Sequence, residues 1–169
     1  MNMHLPFIDT RSSIARKFFK LQTHALQDAL QAISTNQDTS LAAFPWQAPW
    51  KSPNRKYSGI REIPLGKVVG TLSRNSAFDH KFRPLKKYLR ERWINIYLAF
   101  KKDGLTPIVV HKVGEIYYVE DGHYRVSAAL SLGRKSIRAK VWEYPVDKAQ
   151  TAVSQFEQCC AERNSTYAA

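Results

Sequence analysis

The apolar positions at the start of the chain, Ile14, Phe18, Leu21, Leu26, Leu30 and Ile33, approximate one face of an α-helix, with Asp9 or Thr10 placed to cap its start. Residues 34–59 (STNQDTSLAAFPWQAPWKSPNRKYSG) lose that period and read as a linker rich in Ser, Thr, Asn and Pro. Its length marks it as functional or as holding a further element. Its aromatics, Phe44, Trp46 and Trp50, read as pins onto the domain, with a recognition surface as the alternative. From Ile60, IREIPLGKVVGTL offers short β-type runs around Ile63 and Val68–Val69, predicting one strand followed by the polar turn SRNSAFD. Pro84 suits the first turn of a second helix, in which Leu85, Leu89, Trp93, Ile96 and Phe100 recur on one face up to a stop at Asp103–Gly104. Thr106–His111 and Glu115–Glu120 read as a hairpin turning at Val113–Gly114. Val126, Ala129, Leu130 and Leu132 carry a third helix that Gly133 stops, and Ser136–Glu143 alternates as a final strand. The expected fold class is α+β: a β-α-β-β-α-β core over 60–145, a helix and linker over 1–59, and a partly helical tail over 146–169.

Composition narrows the class. An apolar fraction of 44% over 169 residues supports one real core and excludes both chain-wide disorder and a second large domain. The balance of 26 Lys and Arg against 14 Asp and Glu gives a net charge of +12, which favours an anionic partner such as nucleic acid, a nucleotide, or an acidic protein or lipid surface. Lys86, Lys87, Arg90, Arg92, Lys101 and Lys102 flank the second helix, as a solvated face or as a binding surface. Cys159 and Cys160 are adjacent, forming neither a disulfide framework nor a CxxC metal spacing, which fits a reducing, cytoplasmic compartment. No apolar run precedes the first basic residues and no stretch approaches about 18 apolar residues, so neither secretion nor membrane spanning is expected; a transit peptide is a lesser reading of the start.

The richest stretch is VEDGHYRVSAALSLG, Val119 to Gly133. A strand runs into an acidic-Gly turn and a helix begins at once, so unpaired N–H groups and the positive helix end converge where Gly122 permits close approach. Such a turn binds phosphate. Arg125 adds a planar cation and His123 a titratable group. The competing reading is structural: Asp121 caps the helix and Arg125 pairs with an acidic neighbour.

The segment from about Ile60 to Tyr144 resembles the N-terminal domain of the ParB/sulfiredoxin superfamily. The likeness rests on the opening strand IREIPLGKV, the loop Ser73-Arg74-Asn75, the Gly104-Leu105 and Pro107–Val110 entry, the hairpin, the Gly-x-x-Arg helix start from Gly122 to Arg125, and Ala128-Ala129 with Leu132-Gly133. Asp-Gly-His-Tyr-Arg-Val-Ser and the Phe-Asp…Phe-Arg-Pro-Leu run at Phe78–Leu85 are similar to stand-alone bacterial members. The resemblance implies that Gly122, His123, Tyr124 and Arg125 form a nucleotide-phosphate turn, with Arg74 as a second clamp and CTP, ATP or ADP with Mg²⁺ as the ligand. Sulfiredoxins carry a reactive Cys where this chain has His123, so that activity is not expected. Too little chain follows Tyr144 for a helix-turn-helix domain, so DNA contact would use the basic surface without sequence specificity. The leading expectation is a nucleotide-dependent regulatory or DNA-associated module. The alternative is a small-molecule phosphotransferase like the free serine kinases, with Glu120, Asp121 or His123 as base. Nuclease activity ranks third, because no clustered acidic ligands for two metals stand out. Oligomeric state stays open, since the first helix could cover its own domain or a partner's.

Overall fold

The computed structural model describes residues 10–45, 55–72, 76–100 and 105–145. Thr10 starts the first helix, α1 (Arg11–Thr35), by accepting the Ser13 N–H at 3.2 Å on its hydroxyl, and Asn36 ends it in the left-handed conformation at φ 51°. Asp9, the other cap candidate, lies outside the described residues. Ile14, Phe18, Ala25 and Ala32 are the large and small apolar residues that α1 buries, and Phe18 meets Trp93 edge-on at 5.7 Å. The expected face is therefore corrected in its second half: Leu26, Leu30 and Ile33 are exposed, while small alanines let the helix lie close against the domain.

The remaining elements are β1 (Ala42–Ala43), β2 (Lys56–Pro64), β3 (Val68–Thr71), α2 (Arg90–Phe100), β4 (Ile108–Val113), β5 (Ile116–Asp121), α3 (His123–Ser131) and β6 (Ser136–Tyr144). They form a six-stranded mixed sheet in the order β1-β3-β5-β4-β6-β2. Pairs β1/β3, β3/β5 and β4/β6 are parallel, whereas β4/β5 and β2/β6 are antiparallel. The fold is α+β as expected, but the single strand expected near Ile63 is two: a 3₁₀ turn at Leu65–Lys67 breaks the run, sending β2 to one edge and β3 toward the other.

The segment read as linker also contributes structure. Ala42 and Ala43 pair with Gly70 and Thr71, and Phe44 buries its ring against Tyr118 at 5.1 Å and Tyr144 at 5.4 Å. Gly70 makes this possible, because a Cβ there would sit 2.0 Å from the Ala42 carbonyl oxygen. Trp46, Trp50, the Asp103–Gly104 stop, both cysteines and the tail lie outside the described residues.

Two apolar layers flank the sheet. One side packs Val110, Val119, Ile137, Ala139 and Val141 under the helices, where Trp93 Nε1 donates to Ser127 Oγ at 2.9 Å between α2 and α3. The other side holds Phe44, Val69, Val113, Ile116, Tyr118 and Tyr144. The second helix begins later than Pro84 suggested. Asp79 Oδ1 accepts the Lys81 and Arg83 N–H groups at 3.0 and 2.7 Å, and Phe82 adopts φ 55°, so the segment folds into a tight loop before a 3₁₀ turn at Lys87–Leu89. Among the described residues no helix is long and apolar enough to cross a membrane.

Candidate functional site

Parallel strands β3 and β5 run side by side up to Thr71 and Val119, which are in register, and α3 begins two residues beyond the end of β5. Gly122 is the N-cap at φ 118°, ψ 18°, and no side chain caps the helix start. Asp121 is thus not the cap that local chemistry suggested. Its strand position turns its carboxylate away from the first helical amides and toward Arg125, whose Nη2 it accepts. Gly122 is demanded twice over: its backbone conformation disfavours any side chain, and a Cβ would lie 2.4 Å from Ile108 Cγ2.

Arg125 is buried. Its Nη1 donates to the Thr106 carbonyl at 2.6 Å, the Thr106 hydroxyl at 2.9 Å and the Pro107 carbonyl at 2.9 Å. These bonds explain why β4 starts at Ile108 rather than at Thr106: the two preceding carbonyls belong to the guanidinium instead of to a neighbouring strand. The cation therefore does two things, pinning the entry to β4 through Nη1 and facing the exposed Asp121 through Nη2.

His123 Nε2 lies 2.8 Å from Thr71 Oγ1, and that hydroxyl has the Val119 carbonyl at 3.3 Å as its own acceptor. The protonation pattern that satisfies both bonds places the proton on Nε2 and leaves Nδ1 as an acceptor. Phe78 stacks nearly parallel to the imidazole at 6.2 Å and Phe82 flanks it at 6.2 Å. Burial pushes His123 down to about 4, against the opposing pull of the Asp121 carboxylate, so the ring is neutral at physiological pH. Tyr124 meets Phe78 edge-on at 5.2 Å, and Arg92 lies over its ring at 4.7 Å, which brings one of the α2 cations next to the helix start.

Glu120 and Asp121 part company. Strand alternation puts Glu120 on the sheet face of Tyr118, where its carboxylate takes His111 Nε2 at 2.7 Å, while His111 Nδ1 faces the Tyr144 hydroxyl at 2.8 Å. Burial lowers the His111 pKa, outweighing the hydrogen bond that the Glu120 carboxylate accepts. The residues expected together thus divide. Gly122, His123, Tyr124, Arg125 and Asp121 share the α3 side, Glu120 belongs to the opposite face, and Arg74 lies outside the described residues. Thr71, Phe78, Phe82 and the Thr106–Pro107 carbonyls complete the surroundings. Of these Phe78, Phe82 and Pro107 left a trace in the sequence, in the Phe-Asp…Phe-Arg-Pro-Leu run and the Pro107–Val110 entry. Among the described residues no group of three or more His, Cys, Asp or Glu side chains is placed to hold a metal ion.

A mixed sheet with helices over one face and a glycine-led helix start at the ends of parallel strands defines the class of domain. The sequence model of the ParB N-terminal domain matches residues 54–158, well over half of the chain, and the chain belongs to that family. The match begins close to β2 and six residues before the boundary expected at Ile60. A solved structure, the sulfiredoxin from Arabidopsis thaliana, is similar at 27% identity over 50% of this chain and 85% of that one, with a TM-score of 0.38. No curated protein matches the chain.

Proposed function

We propose that this ParB-family domain is a regulatory module that binds the phosphates of a nucleotide at the start of α3. The observation that carries the reading is the uncapped helix start at Gly122, with its amides at the positive end of the helix. Arg125 supports it. Nη1 is fixed on Thr106 and Pro107, so the guanidinium is already oriented, and the Asp121 carboxylate, 66% exposed, can leave Nη2 when a phosphate oxygen takes its place. The neutral His123 adds no positive charge, but its Nδ1 accepts a hydrogen bond from a ligand hydroxyl. CTP, ATP and ADP with Mg²⁺ are the ligands the family suggests. The residues fit an ion that arrives with the nucleotide, because Mg²⁺ takes one or two carboxylates plus phosphate oxygens and Asp121 is the carboxylate at the turn. DNA association would use the net charge of +12, including Arg92 beside Tyr124, and would be non-specific and salt-sensitive.

A second reading, phosphoryl transfer to a small hydroxyl-bearing acceptor, leaves Asp121 and His123 as the bases on this side, since Glu120 is turned to the other face. Asp121→Asn separates the two readings. Removing a carboxylate that competes for Arg125 tightens binding of Mg²⁺-free phosphate by on the order of tenfold under the first reading, whereas it abolishes acceptor-dependent nucleotide turnover under the second. Calorimetric titration with CTP, ATP, ADP, GTP and inorganic phosphate, with and without Mg²⁺, measures the first effect. Product analysis with an acceptor present measures the second. Binding of none of these ligands by the wild-type chain would refute both readings.

A further inference from the structure

α1 carries two separate apolar faces. Ile14, Phe18, Ala25 and Ala32 are buried against the domain, whereas Phe19, Leu26, Leu30 and Ile33 are 41%, 60%, 59% and 79% exposed. With Thr23 between them, positions 19, 23, 26, 30 and 33 recur at spacings of four, three, four and three. That is the heptad repeat by which one helix seats its side chains between those of another. At about 100° per residue the repeat lies roughly 120° around the helix from the buried face.

We infer that this seam pairs α1 with α1 of a second copy of the chain about a twofold axis. Charge selects the occupant. Two molecules of net charge +12 repel wherever their cations meet, yet residues 21–35 (LQTHALQDALQAIST) hold one formally charged side chain, Asp28. That carboxylate is engaged within its own domain, by Lys81 Nζ at 3.0 Å and Arg83 Nη2 at 2.7 Å. The stretch is where two copies approach with least repulsion, and it offers neither an acidic nor a basic partner a charge to pair with. The chain itself supplies the matching heptad face, uncharged from Thr23 to Ile33, with Arg90 over the Phe19 ring at 5.8 Å marking its basic end. The helix is also held in place beforehand, by Arg11 on Glu91 at 2.7 Å, Lys17 on Tyr97 at 2.7 Å and Gln22 on the Leu85 carbonyl at 3.1 Å, so pairing orders little new chain. The seam is short, about 21 Å from residue 19 to 33. It therefore belongs with small, reversible interfaces.

Sedimentation of the full chain from micromolar to near-millimolar concentration tests this. The mass is expected to rise from 19.4 kDa toward twice that value. Leu26→Glu with Leu30→Glu should raise the dissociation constant at least tenfold, two carboxylates being forced into the seam. Gln31→Glu, which adds a charge on an exposed position off the seam, should leave it unchanged. Circular dichroism and the melting temperature check that both variants remain folded, as exposed sites allow. A wild-type chain that stays monomeric across the series overturns the inference. So does a dimer that survives the double variant, or one that Gln31→Glu weakens equally.

Discussion

Replacing Gly122 with Ala perturbs the start of α3 at its tightest point. The residue adopts φ 118°, and a methyl group there would lie 2.4 Å from Ile108 Cγ2, 2.7 Å from Ile108 Cβ and 3.3 Å from Arg125 Nε. Non-bonded carbons prefer about 3.5–4.0 Å, so α3 and the start of β4 must separate by roughly an ångström. The backbone strain costs about 1–3 kcal/mol and the overpacking a further 1–3 kcal/mol or so. Together they remove about 2–6 kcal/mol from a domain whose whole stability is about 5–15 kcal/mol. Gly133→Ala isolates the backbone part, because φ there is 69° and nothing lies within 4 Å of the new methyl. It should cost only about 1–2 kcal/mol. Urea unfolding of Gly122→Ala, Ile108→Ala and the double variant then measures the contact itself. Ile108→Ala removes the Cγ2 that clashes, so the two losses should be less than additive by at least about 1 kcal/mol. A Gly122→Ala loss no larger than that of Gly133→Ala, or strictly additive losses in the cycle, would refute the reasoning.

Two further outcomes follow from the same geometry. Asp79 is 2% exposed and answers Arg83 Nε at 2.7 Å, so Asp79→Asn leaves that buried cation with Asp28 as its charged partner and should cost about 1–3 kcal/mol in denaturant titration; a change below about 0.5 kcal/mol would show the pair to be dispensable. Burial lowers the folded-state pKa of His123 from 6.5 to about 4, so the unfolded chain takes up the proton first as pH falls. The stabilising contribution is complete above about pH 6.5 and drains between there and about pH 4, by at most roughly 3 kcal/mol. His111 and His80 shift in the same direction, steepening the same window. Unfolding midpoints from about pH 7 to about pH 4 should fall less steeply in His123→Gln than in the wild type, and equal slopes would count against a buried neutral imidazole.

Much of the fold is legible in the chain because its signals are local. The hairpin of β4 and β5, the glycine stop of α3 at Gly133 and the alternation of β6 each rest on a few neighbouring residues, and each appears within two residues of its expected place. The turn from Gly122 to Arg125 is local in the same sense, since strand, glycine and helix start are contiguous. Less local features misled. Residues 34–59 look structureless by period, yet two alanines suffice for β1 once Gly70 leaves room for their backbone. Pro84 looks like a helix start, yet Asp79 takes the nearby amides first.

By itself, then, the sequence determined the α+β class, the order of its main elements and the glycine-led helix start with its cation. The tertiary structure decided which groups those side chains face. Spacing reveals that Arg125 sits one helical turn from Asp121, but only packing shows Nη1 committed to Thr106 and Pro107 and Nη2 left to the carboxylate. Adjacency makes Glu120 and Asp121 look like one acidic pair, whereas the pleat sends them to opposite faces, one to His111 and one to Arg125. Likewise, large apolar residues mark α1 as a helix without saying which side meets the domain. That choice went to Ala25 and Ala32 because close approach of helix to core depends on the shape of what lies across from it, a property that no stretch of the chain carries alone.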